Sequence, residues 1–119
     1  MFLFTFRSRI NPKSKEARKR SDVGGAYVNC WINFKDFEAA EKLAKLLIRE
    51  QGWIPEIKTR ESRVRRNSLK KKKEKQYYAE AIKYGYSLVF HLWPKDAPDA
   101  SRDYEAEEKE ESSVTQDGV

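Results

Sequence analysis

Hydrophobic and polar positions alternate from the start of the chain. Phe2, Phe4 and Phe6 fall opposite Leu3, Thr5 and Arg7, the period of two that marks a strand with one buried face. The polar, basic stretch Asn11 to Ser21 contains Pro12 and reads as a loop, with Gly24-Gly25 punctuating its end. A second alternating run spans Ala26 to Phe34: Ala26, Val28, Cys30 and Ile32 share one side, while Tyr27, Asn29, Trp31 and Asn33 share the other. From Lys35 to Gln51 the period changes. Phe37, Ala40, Leu43, Ala44, Leu47 and Ile48 recur at three and four, Asn33 or Asp36 can cap the start, and Gly52 stands where a left-handed stop belongs.

Trp53 to Thr59 predicts a third strand, and Pro55 puts it at an edge because proline cannot donate a ladder hydrogen bond. Ser68 to Tyr84 predicts a second helix with Tyr78, Ala81 and Ile82 as its buried stripe and Gly85 as its stop. Tyr86 to Trp93 alternates again, with Ser87, Val89, His91 and Trp93 on one side. The order is ββαβαβ. Each element has one apolar side to bury, so the expected fold is α+β: a two-layer sandwich with both helices on one face of a three- or four-stranded sheet.

Charge adds a boundary. Residues 58 to 75 hold ten Lys or Arg against two acids, whereas residues 95 to 119 hold three against nine. The net charge of +6 therefore divides into +12 on residues 1 to 94 and −6 on the remainder. That tail has few apolar residues with which to offset the entropy of ordering. The expectation is one basic domain, 1–94, followed by an acidic disordered tail, 95–119.

Composition narrows the chemistry. The chain has 119 residues with one cysteine and one histidine, which excludes an internal disulfide and a multi-Cys/His zinc site and leaves no cofactor or metal to expect. No apolar run approaches the roughly 18 residues of a membrane span, so the chain reads as cytoplasmic. A Cys-His dyad is the one nucleophilic arrangement available. Alternation puts Cys30 on the core side and His91 on the opposite side, so no catalytic residues are expected and the chain reads as a binding module, not an enzyme.

The blocks Gly24-Gly25-Ala26-Tyr27-Val28-Asn29-Cys30-Trp31, Gly52-Trp53 and Leu88-Val89-Phe90-His91-Leu92-Trp93-Pro94 resemble those of a group of small bacterial proteins, over about residues 1 to 98. The resemblance implies a single bacterial α+β domain and carries no activity with it. Members of that group are usually acidic between the Gly-Trp step and the last strand; here that stretch is basic.

Two constellations remain as candidate surfaces, the first expected to be the working one as a protein or self-association face, the second, within residues 58–75, its alternative. Tyr27, Asn29, Trp31, His91 and Trp93 would line the outward sheet face, where aromatics among amides suit a protein or self-association interface, neutralisation of a toxin included, or base stacking. Arg63, Arg65 and Arg66 with Lys70, Lys71, Lys72 and Lys73 form a segment suited to polyanions, nucleic acid above all. Four consecutive lysines on a helix sweep most of its circumference, so that turn must project beyond the body. The remaining alternative is a solvated charge run on a domain with no strong partner.

Overall fold

The computed structural model describes residues 1–95; all of the expected acidic tail except Lys95 lies outside the described residues. The chain forms β1 (Phe2–Ile10), a short α1 (Lys15–Lys19), β2 (Val23–Ile32), α2 (Phe37–Glu50), β3 (Trp53–Arg63), a 3-10 turn (Arg66–Ser68), α3 (Lys72–Tyr84) and β4 (Tyr86–Pro94). The four strands make one sheet in the order β3-β1-β2-β4, every neighbouring pair antiparallel. The long elements follow the expected ββαβαβ order. One turn of helix, α1, interrupts the stretch read as a loop.

β1 sits in the interior because it can bury both sides. Phe2, Phe4 and Phe6 enter one core with Ala26, Val28, Cys30, Ile32, Leu88 and Phe90, closed by Ala40, Ala44 and Ile48 of α2. Leu3 enters a second core on the opposite face with Trp31, Val89 and Ala81 of α3. The two helices therefore lie on opposite faces, and the expected two-layer arrangement with both helices on one face is corrected to helix, sheet, helix. Each helix serves a different face because both sides of the central strands are apolar at one end: Leu3, Trp31 and Val89 need cover as much as the phenylalanines do.

Local boundaries have local causes. The Asp36 carboxylate accepts from the Ala39 N–H at 2.8 Å and starts α2, so Asp36 and not Asn33 is the cap. Gly52 and Gly85 adopt φ of 90° and 94°, the left-handed geometry that ends each long helix. β3 runs to Arg63, beyond the expected Thr59, and pairs with β1 through two register shifts. Bulges, Pro55 and alternating charges are the devices that keep an edge strand from recruiting another chain. α3 begins at Lys72, later than expected, and its buried stripe uses Ala81 with Tyr77 and Tyr78. Ile82, expected inside, is 47% exposed.

Candidate nucleic-acid interface

The aromatic sheet face is divided in two by α3. Trp31 is only 3% exposed, its indole ring 6.2 Å from that of Tyr77, so it belongs to the second core and is removed from the expected interface. Its Nε1 is buried with no hydrogen-bond acceptor among the described residues. Beyond the reach of α3 the face turns polar. The Thr5 hydroxyl donates to Asn29 Oδ1 at 2.7 Å, and Asn29 Nδ2 lies 3.3 Å from His91 Nε2, a side-chain chain running across β1, β2 and β4.

Tyr27 and Trp93 complete this end. Their rings are 5.2 Å apart, and the Arg7 guanidinium lies over the Trp93 ring at 5.5 Å. Register explains their meeting, since β2 and β4 pair Gly25 with Trp93 and Tyr27 with His91. The Gly-Gly-Ala-Tyr block and the His-Leu-Trp-Pro block of the sequence are thus partner strands. A Cβ on Gly25 would stand 2.4 Å from the Trp93 ring, so only glycine lets that indole lie flat on the sheet. Tyr27, Asn29, His91 and Trp93 are all half-buried.

The basic segment behaves differently. Val64 donates its N–H to the Met1 carbonyl at 2.8 Å, which ties the end of β3 to the start of β1. This hold sets Arg63, Arg65 and Arg66 around an open cleft of about 1020 Å³. Across from them the turn after β2 supplies Asn33, Phe34, Lys35 and Asp36. Arg63 stacks its guanidinium over Phe2 at 5.3 Å and Arg66 over Tyr78 at 5.8 Å, contacts that orient the heads without neutralising them.

Ion pairs show which cations are spoken for. Arg9 pairs with Glu56, Arg20 with Glu16, Lys45 with Glu41, and Lys58 with Glu41 and Glu61. Arg63, Arg65, Arg66 and Lys35 make no ion pair among the described residues. The acid in the cleft, Asp36, is engaged in capping α2.

Lys70, Lys71, Lys72 and Lys73 do not line the cleft. Lys70 and Lys71 precede α3, Lys71 at its cap position, so only Lys72 and Lys73 are helical and the expected four-residue sweep does not form. All four are exposed. They crowd the positive end of the helix dipole, where cations are disfavoured by a few tenths of a kcal/mol each. Glu74 is the single acid in that first turn.

Phe34 and Lys35 carry no clear signal in the sequence because they sit where one period ends and another begins. Alternation places Phe34 at the end of the second strand, yet β2 stops at Ile32. An aromatic between Asn33 and the Lys35-Asp36 pair, with no strand left to hold it, was the available signal. Cys30 is fully enclosed, and burial pushes its thiol far above the ordinary range, so it carries no thiolate. Among the described residues no group of three or more His, Cys, Asp or Glu could hold a metal ion, and no helix is long and apolar enough to cross a membrane. Set against known protein families, curated proteins and solved structures, the chain matches none.

Proposed function

We propose that this chain is a binding module for nucleic acid, with a phosphate backbone seated in the cleft beside Arg63, Arg65 and Arg66. The observation that carries this reading is the gathering of three arginines and Lys35, none ion-paired among the described residues, around one open cleft. Bringing like charges together costs energy in the free protein, and a polyanion recovers it while releasing its own condensed counterions. Lys70 to Lys73 then act as an outlying field that favours encounter, not as seats for phosphate.

The test is binding of a labelled oligonucleotide by the full chain across a salt series. Affinity should fall as salt rises, with a slope of about −0.7 to −0.9 on logarithmic axes for every phosphate neutralised. Replacing Arg63, Arg65 and Arg66 together with Gln should flatten that slope by roughly two to three. Gln at the four lysines should change it less. No binding by the wild-type chain at low salt would reject the reading.

A second reading rests on the other end of the molecule. Tyr27, Trp93 and Arg7 form an aromatic patch, and Ile57, the β3 partner of Arg7, is exposed beside it. Such a patch suits a protein partner or self-association. Sedimentation of the wild-type chain against Tyr27→Ser separates this from the cleft, because that substitution leaves the arginines untouched.

A further inference from the structure

Phe34 is the exposed aromatic of the cleft. It is 47% exposed, and no ring contact engages it among the described residues. The ring of Phe37, three residues on, lies 5.4 Å from that of Phe2 and 5.5 Å from that of Phe4, at the rim of the core. The two phenylalanines therefore differ in what they touch: Phe37, though 36% exposed, rests one side of its ring on the core aromatics, whereas Phe34, next to Lys35, has no ring beside it among the described residues.

The turn that carries Phe34 is pinned on both sides. Asn33 donates its N–H to the Gly85 carbonyl at 3.0 Å, and Asp36 accepts from Ala39 through its side chain and from Ala40 through its carbonyl. Its ring is thus presented from a fixed backbone, at little further entropic cost on binding. The cleft it shares with Arg63, Arg65 and Arg66 is open and about 1020 Å³ in volume.

Given the proposed function, on which this step rests, we infer that Phe34 is a stacking platform for an unpaired base and that the cleft takes single-stranded nucleic acid. An aromatic ring beside cations that can track a backbone is the combination single-strand binders use, and it tolerates sequence because every base has a π-face. A duplex keeps its bases stacked on one another and offers this ring nothing except phosphate and sugar. Phe34 is accordingly the residue that separates strands from other polyanions.

The experiment compares the full-length wild type with Phe34→Ala and Phe34→Trp against three probes: a short single-stranded dT oligomer, the same oligomer annealed to its complement, and heparin. Phe34→Ala should weaken dT binding roughly five- to hundredfold, leave duplex and heparin binding unchanged, and keep the wild-type melting temperature. Phe34→Trp should retain dT binding. Equal losses for dT and heparin, or no loss for dT, would overturn the stacking role. Failure of the wild type to bind all three probes at low salt would overturn the proposed function itself.

Discussion

The two faces of the sheet are built to different standards. On the α2 side the apolar surface is continuous from Phe2 to Trp53, and α2 meets it with Ala40, Ala44 and Ile48 at successive helical turns. Two alanines in that row keep the buried side of α2 thin, which permits a close approach of helix and sheet. On the α3 side the apolar core is confined to one end, around Leu3, Trp31, Val89 and Ala81. Past it come Thr5, Asn29 and His91, then the Tyr27, Trp93 and Arg7 group. Folding energy is concentrated on the first face. The second spends part of its area on polar and cationic groups that contribute little to a core, which leaves Tyr27 and Trp93 half-buried and Arg7 exposed, outside the core that α3 closes.

The sharpest way to break this comparison is to truncate one large ring on each side. Phe4 is fully buried and lies amid the α2-side aromatics, so Phe4→Ala should cost about 3–5 kcal/mol. Trp31 is larger, yet its neighbours Met1, Val64, Leu69, Tyr77 and Tyr78 are only half-buried and can move into the space. Its truncation also deletes a buried N–H that lacks an acceptor. Trp31→Ala should therefore fall at the lower end, about 3 kcal/mol, and Trp31→Phe should cost about 1 kcal/mol. Denaturant melts of the three variants decide it. A greater loss at Trp31 than at Phe4 would make the α3 side the principal core.

Gly25 sharpens the comparison on the open part of the second face. Alanine there would bring a Cβ to 2.4 Å from the Trp93 ring and 3.0 Å from the Ser8 carbonyl oxygen. The ring can rotate away, but the backbone oxygen cannot. The expected cost of Gly25→Ala is about 1–3 kcal/mol, accompanied by a change in tryptophan fluorescence as Trp93 leaves Tyr27. An unchanged spectrum with wild-type stability would mean that the indole does not lie on Gly25 in solution.

Alternation alone made three of the strands legible, and the period of three and four did the same for α2. Proline placed β3 at an edge, and opposite phases put Cys30 and His91 on different sides. What could not be read was the side each helix takes. Leu3, Trp31 and Val89 look like outward positions when the Phe2, Phe4, Phe6 side is assumed to be the single core, and only tertiary packing shows that α3 claims them. The same omission put Trp31 in the interface. For the site, the arginines were legible as a charge run, but their convergence on a cleft depends on the long-range bond between Val64 and Met1. Phe34 was hidden because its role lies in the turn that joins two elements, where neither period applies.

The smallest expected effect tests the rim of the better-packed face. Lys58 crosses from β3 to α2, hydrogen-bonded to Glu41 at 2.8 Å and ion-paired with Glu61, its ammonium 5.9 Å from the Phe4 ring centroid and 5.4 Å from that of Phe37. The hydrogen bond that Lys58 donates holds the Glu41 carboxyl below its ordinary 4.5, and hydrogen bonds donated to Glu41 and then Glu61 hold Lys58 above its ordinary 10.5. The depressed carboxyl adds stability that is present above pH 4.5 and lost as pH falls through the lower, folded value. The raised ammonium adds stability that is present below pH 10.5 and lost as pH rises through the higher, folded value. Between those limits the network is intact, but its members are partly solvated, so it contributes about 1 kcal/mol or less. Lys58→Met keeps a stem over Phe4 and Phe37 and removes the charge. Its melting temperature should drop slightly at pH 7 and fall less steeply than the wild type's on acidification, with Lys45, 3.5 Å from Glu41, preserving part of the carboxyl's shift. A loss of several kcal/mol at neutral pH would show that the ion pairs, and not the aromatic packing beneath them, close the α2 face.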